Sequence, residues 1–164
     1  ETKDGGRAQP YYDEEMGRMF IDGLAACDTF LCGEVTYKLL SKAWGGGTGE
    51  YMDMLNNMPK LVASTSLQEP LDWNAKLIKG NVPDEVAKLK QQPGKDIMMY
   101  GSATLMASLA EHDLIDVYKV WVYPVILGSG KRLFPEGFSQ QKLDLVGTKT
   151  LGSGVVVLTY QSSR

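Results

Sequence analysis

The stretch LCGEVTY, residues 31–37, carries the strongest local statement about fold in this chain. An apolar approach, Phe30-Leu31-Cys32, runs into Gly33 and then an acid, Glu34. A β-branched pair, Val35 and Thr36, and an aromatic, Tyr37, follow. The pattern reads as a buried strand over 28–32 that hands over to a helix over 34–41. A glycine at such a junction either permits the turn or lets a ligand approach the backbone. An acid in the first turn suits the positive end of the helix dipole.

Working outward, the same alternation repeats. Residues 13–25 begin with Asp13, Glu14 and Glu15 and then place Met16, Phe20 and Leu24 every four residues, one apolar face of a helix. The three acids either stabilise that helix start or include a proton donor or substrate ligand. AWGGGTGEY at 43–51 is a loop, since consecutive glycines cost too much in a regular element. Trp44 beside it is a lid aromatic or an anchor for that loop. A short helix is expected at 52–57, strands at 60–64, 76–80 and 96–102, and helices at 82–92 and from 103 onward, with Ser102 as a candidate N-cap. The last third changes character. Residues 115–127, 143–151 and 154–160 are rich in β-branched and aromatic residues, and the last two segments look like an antiparallel pair. The expected fold class is α/β: three layers, a mainly parallel sheet with helices on both faces, and antiparallel C-terminal strands added at one edge. Along the strand from 115, Trp121 and Tyr123 share one face and Tyr118 takes the other.

Composition narrows the function classes. The chain has 164 residues, 43% of them hydrophobic, and a formal net charge of −3. One domain over 1–164 is the expectation from length. An acidic balance argues against nucleic acid as partner. No apolar run approaches the roughly 20 residues of a membrane span, so no membrane partner is expected. Nothing at the start resembles a signal peptide, which points to the cytoplasm; the opening ETKDGGRAQP reads as a loop or a cut end. With one histidine and two cysteines, Cys27 and Cys32, a metal site is not expected, and both thiols read as reduced and buried. His112 reads as a helix C-terminal residue, and Lys131 and Arg132 as either solvated turn charges or binders of a substrate phosphate.

Two strand ends carry a glycine followed by a helix, Gly33 and Gly101, with Ser64 ending a further strand. In open α/β sheets, ligands lie beyond such carboxyl ends. The segments LCGEVTY, MPKLVAST (58–65), GSATL (101–105) and YPVILGSGKRLF (123–134), in that order, resemble the reductase domain of riboflavin biosynthesis and its dihydrofolate-reductase-like relatives. The resemblance runs over nearly the whole chain. It implies an NAD(P)H-dependent oxidoreductase, either a 5-amino-6-(5-phosphoribosylamino)uracil reductase or a dihydrofolate-reductase-like enzyme. Hydride would pass to a pteridine-like or ribosylaminopyrimidine-like small molecule, in a homodimer. The cofactor is NADP (as NADPH) or NAD. Carried over residue by residue, the cofactor site comprises Gly33, Glu34 and Thr36, then Ser64, then Gly101, Ser102, Ala103 and Thr104, and finally Pro124, Val125, Leu127 and Gly128. No residue is singled out as catalytic. The sequence departs from the pattern twice. The family's usual opening strand, ending Ser-Leu-Asp-Gly, has no counterpart beyond Asp4–Gly5. Glu34 stands where the family has an arginine that favours the extra phosphate of NADP. Both departures keep a second reading open, a non-catalytic small-ligand-binding or dimeric scaffold protein on the same fold.

Overall fold

The computed structural model describes residues 8–100 and 102–163. The remnant Asp4–Gly5 and the turn glycine Gly101 lie outside the described residues. A 3-10 turn at Gln9–Tyr11 leads into α1 (Glu14–Ala25), β1 (Cys27–Gly33), α2 (Glu34–Trp44), α3 (Glu50–Asn57), β2 (Lys60–Ala63) and β3 (Ala75–Leu77). Then come α4 (Val82–Lys90), β4 (Asp96–Met99), α5 (Ala103–Ala110), β5 (Val117–Val122), β6 (Leu143–Thr150) and β7 (Val156–Ser162).

Strands β1 to β4 form a parallel sheet in the order β3-β2-β1-β4. Leu31 stands opposite Leu61 on one side and Met99 on the other. The unbroken apolar run at Phe30-Leu31-Cys32 follows from burial on both faces. Phe30 and Cys32 pack with Leu24, Tyr37, Leu55 and Val62 beneath α1, α2 and α3. Leu31 points the other way, against Val86, Leu105 and Leu109 of α4 and α5. Helices therefore cover both faces, as the three-layer expectation requires.

The C-terminal strands are antiparallel, as expected, but they do not extend the parallel sheet. They form a sheet of their own in the order β5-β7-β6, with β7 in the middle. Tyr118 faces Tyr160, and Val120 faces Leu158. No strand among the described residues bridges β4 and β5, which is why the two sheets stay separate. A third core joins the second sheet to α1: Met16 packs with Leu151, Val155 and Val157. Phe20 stacks on Trp121 at 4.8 Å and Tyr11 meets Tyr123 edge-on, whereas Tyr118 meets Phe134. The two faces of β5 are divided as strand alternation predicts.

Several side chains take the structural of their two sequence readings. Asp13 is the N-cap of α1 and accepts from the Met16 amide at 2.7 Å. Trp44 packs edge-on against Tyr51 and anchors the glycine loop. The His112 ring lies 2.9 Å from the Ser108 carbonyl oxygen, at the end of α5. Cys32 is buried, and burial pushes its thiol up to about 12. Cys27, expected to be buried, is only half so, because it opens β1 where the strand leaves the core. Lys60 is a buried charge the sequence did not announce. It is 1% exposed, and its ammonium donates to the carbonyls of Leu55, Asn56 and Met58. It also sits 4.4 Å over the Trp73 ring. The lysine thus closes the carboxyl end of α3, where unpaired carbonyls attract a cation.

Candidate functional site

The chain leaves β1, builds β2 and β3 to one side, and returns to place β4 on the other side of β1. Strand order therefore reverses between β1 and β4. That is the position where an open α/β sheet forms a crevice at its carboxyl edge. Helix α2 starts at the end of β1, with Gly33 as its N-cap, and α5 starts just beyond β4, with Ser102 as its N-cap. The two starts touch. A Cβ built on Gly33 would lie 2.7 Å from Ser102 Oγ and 3.3 Å from Ser102 Cβ. Close approach therefore favours glycine at 33, since its φ of −83° would suit any residue.

The capping pattern separates these helices from two others in the fold. Asp13 caps α1 and Asn81 caps α4, each with a side-chain oxygen. Neither α2 nor α5 has a side-chain cap, so their first amides keep the capacity to bind an anion. Ser102, expected as a capping side chain, does not cap α5. It occupies the left-handed region, at φ 61° and ψ 83°, which turns its hydroxyl toward Gly33 rather than onto the helix amides. Ala103 and Thr104 follow as the first two residues of α5.

Glu34 lies at the same edge with its carboxylate already engaged. It accepts from Lys38 at 2.6 Å, from Ser64 at 2.5 Å and from Ser66 at 2.6 Å. Lys38, then the two hydroxyls, hold the acid down at about 2. Ser64 Oγ in turn accepts from the amides of Ser66 and Leu67, which fixes the turn after β2. Ser66 was missed from sequence; its signal was the Ser-x-Ser spacing directly after a strand. Thr36 lies half-buried on the first turn of α2.

The structure thus brings Gly33, Glu34, Ser64 and Ser102 together, with Thr36, Ala103 and Thr104 on the attached helix turns. Pro124, Val125, Leu127 and Gly128 follow β5 and are exposed. The Pro124 carbonyl accepts from Tyr11 at 3.3 Å, and its ring lies against Gly154. That segment is a loop continuing from β5 of the second sheet. A cavity of about 650 Å³ lies between the sheets and is lined by none of these described residues.

The cluster suits a dinucleotide only in part. Two uncapped helix starts at a strand-order reversal suit a pyrophosphate. The Glu34 carboxylate does not suit a second phosphate on the adenosine ribose, because it places a negative charge on the hydroxyls and the lysine that such a phosphate would need.

Comparison with known proteins agrees with this architecture. YyaP of Bacillus subtilis (strain 168), an uncharacterized protein, is 36% identical over 156 residues, covering 90% of this chain and 80% of that one. A pyrimidine reductase-like protein from Corynebacterium diphtheriae superposes with a TM-score of 0.68 at 13% identity, covering 98% of this chain and 86% of the other. RibD of Acinetobacter baumannii gives a TM-score of 0.66 at 16% identity over 93% of this chain; the chain spans 51% of that larger protein. The profile of the RibD C-terminal domain matches residues 1–157. The chain belongs to the RibD C-terminal domain family, the reductase domain of the riboflavin-biosynthesis enzyme.

Proposed function

We propose that residues 1–164 act as one reductase domain that binds a nicotinamide dinucleotide at the β1/β4 edge and reduces a small heterocyclic substrate of pteridine or ribosylaminopyrimidine type. The observation that carries this reading is the pair of uncapped, touching helix starts where strand order reverses. The first amides of α2 and α5 would hold the pyrophosphate, with Gly33 keeping the surface free of a side chain and Thr36 and Thr104 adding hydroxyl donors. The nicotinamide supplies the hydride, so the chain needs only to bind, orient and exclude water. Glu34 favours NADH over NADPH, because a carboxylate accepts from ribose hydroxyls and repels a ribose phosphate. The protein acts in the cytoplasm as a homodimer; Leu145 and Val146 on β6, 55% and 56% exposed, offer apolar area for the contact.

Titration with NADH and with NADPH, followed by tryptophan fluorescence and by calorimetry, tests the reading. Saturable NADH binding, weakened by Gly33→Val, is the expected result. No binding of either dinucleotide at millimolar concentration overturns it. The rival reading, a non-catalytic ligand-binding or scaffold protein, draws on one observation: Glu34, Lys38, Ser64 and Ser66 already satisfy one another.

A further inference from the structure

Three tyrosines from three parts of the chain converge at the carboxyl edge of the parallel sheet. Tyr100 follows β4 directly and stands two residues ahead of Ser102, whose side chain approaches Gly33. Tyr51 lies in the first turn of α3, and Tyr12 stands just ahead of Asp13, the N-cap of α1. Tyr51 and Tyr100 pack in one cluster with Phe30 and Trp44. The Tyr100 ring is edge-on to Phe30 at 5.5 Å, and the Tyr51 ring meets Trp44 at 6.1 Å and Phe20 at 6.0 Å. Both rings are therefore fixed by aromatic neighbours. Their hydroxyls meet, with Tyr51 as the donor and the Tyr100 oxygen as the acceptor. That arrangement leaves the Tyr100 proton to another acceptor. Tyr12 is exposed, near enough for its charge to act on Tyr51, and its hydroxyl lies over Gly17 in the first turn of α1.

Reduction of a C=N bond by hydride needs an acid at the nitrogen. The carboxylates of this edge do not serve. Glu34, held at about 2 by Lys38, Ser64 and Ser66, has no proton to give at neutral pH. Asp13 accepts from the Met16 amide. Tyr100 does carry a proton. Burial raises its hydroxyl above the ordinary value, and the bond from Tyr51 draws it back toward that of a usable acid. Burial, then Tyr100 and Tyr12, push Tyr51 up, so Tyr51 keeps its proton and remains the donor of the pair.

Resting on the reductase reading above, we propose that Tyr100 is the proton donor of the reaction and that Tyr51 is the residue that positions it. The nicotinamide, when bound, supplies a hydride to the carbon of a C=N bond, present in a pteridine ring and in the imine form of a ribosylaminopyrimidine. The π pair of that bond moves to the nitrogen, which takes the proton from Tyr100 Oη. Tyr51 stabilises the resulting phenolate through its hydrogen bond and passes it a proton. Water at the exposed Tyr12 side returns a proton to Tyr51. The substrate gains one hydride and one proton, and both tyrosines end as they began.

The test compares the 164-residue chain with Tyr100→Phe, Tyr51→Phe and a remote control, Tyr118→Phe, whose hydroxyl serves Gln141. The probes are 7,8-dihydrofolate and 5-amino-6-(5-phosphoribosylamino)uracil. Two readouts need no turnover. Calorimetry with NADH should give one affinity for all four proteins. Calorimetry with each probe and no dinucleotide should show Tyr100→Phe binding about threefold to tenfold more weakly, the loss of one hydrogen bond, with Tyr51→Phe unchanged. In turnover, Tyr100→Phe should lower kcat at least about a hundredfold, and its remaining rate should fall about tenfold for each unit rise in pH, because solvent then supplies the proton. Tyr51→Phe should lower kcat about tenfold with KM unchanged, a split that a merely loosened fold would not give. Tyr118→Phe should match the native chain. An unchanged kcat, pH dependence or probe affinity in Tyr100→Phe overturns the donor, while NADH binding leaves the cofactor reading standing. An unchanged kcat in Tyr51→Phe, or kcat and KM moving together, overturns the positioning role. Failure of the native chain to bind NADH or to reduce either probe overturns the reductase reading and this inference with it.

Discussion

Replacing Gly33 by alanine tests the contact on which the candidate site is built. The backbone at 33, φ −83° and ψ 165°, accepts alanine without strain, so any cost is steric. The new methyl would sit 2.7 Å from Ser102 Oγ and 3.3 Å from Ser102 Cβ. The hydroxyl can swing away, but the Cβ is fixed by the left-handed turn that starts α5. Overpacking of this kind costs about 1–3 kcal/mol. Ser102→Gly removes both contacted atoms, and glycine takes a φ of 61° freely. That substitution alone should be close to neutral, the relief of the left-handed turn offsetting the greater freedom of the unfolded chain. The double variant should then regain most of the loss, giving a coupling of about 1–3 kcal/mol between the two sites. Urea unfolding of the four proteins, followed by tryptophan fluorescence, measures it. Additive effects, with coupling under about 0.5 kcal/mol, would refute the close approach of the two helix starts, and with it the reason for a glycine at 33.

Glu34→Arg should tighten NADPH binding about tenfold or more, the scale of a charge-assisted hydrogen bond, and the gain should shrink as salt rises; calorimetry showing equal NADPH affinity for both proteins would place Glu34 outside the cofactor site. Because Lys38, Ser64 and Ser66 hold the Glu34 carboxyl at about 2, its contribution to stability is fully present above the ordinary carboxylate range and is lost as pH falls through about 2. Glu34→Gln should therefore flatten the acid limb of a pH–stability curve between those limits, and an unchanged limb would count against the clamp. Lys60→Met keeps the volume but leaves three carbonyls without their donor, so it should cost about 2–4 kcal/mol in urea unfolding; a loss under about 0.5 kcal/mol would mean water replaces the ammonium. With burial raising both thiols, and Cys32 to about 12, a disulfide exchange reagent at pH 8 should label Cys27 slowly and Cys32 only after unfolding; fast labelling of both would contradict the packing of β1.

The elements were legible where burial is continuous or periodic. The run at Phe30-Leu31-Cys32 and the four-residue repeat of Met16, Phe20 and Leu24 state their own environments, and β1 and α1 lie where those patterns place them. What the sequence did not carry were properties of pairing. Residues 143–151 and 154–160 announce an antiparallel hairpin, but whether it joins the parallel sheet depends on what lies between β4 and β5, and no local pattern encodes a neighbour. Ser102 shows the same limit. Serine before a helix is ordinarily a cap, and only the left-handed turn at 102, close to Gly33, turns its hydroxyl away. Lys60 shows it too, since a lysine opening a strand gives no local sign that three carbonyls of α3 will surround it.

Glu34 is where the local and the global readings part. Locally it is an acid at a helix start, stabilising for any helix and informative about none. In the fold it stands between α2 and the turn after β2, and two hydroxyls from that turn are spent on it. Those hydroxyls and Lys38 form a small anion-binding group whose anion is a side chain of the protein itself. A dinucleotide carrying a second phosphate would have to displace that carboxylate or bind beside it, whereas one with free ribose hydroxyls could donate to it. If the edge binds a dinucleotide as proposed, the same residue that completes the local hydrogen bonding also sets which one it accepts. Lys38 cannot undo this, because its ammonium is a single point charge already paired at 2.6 Å, with no fork left to offer a phosphate.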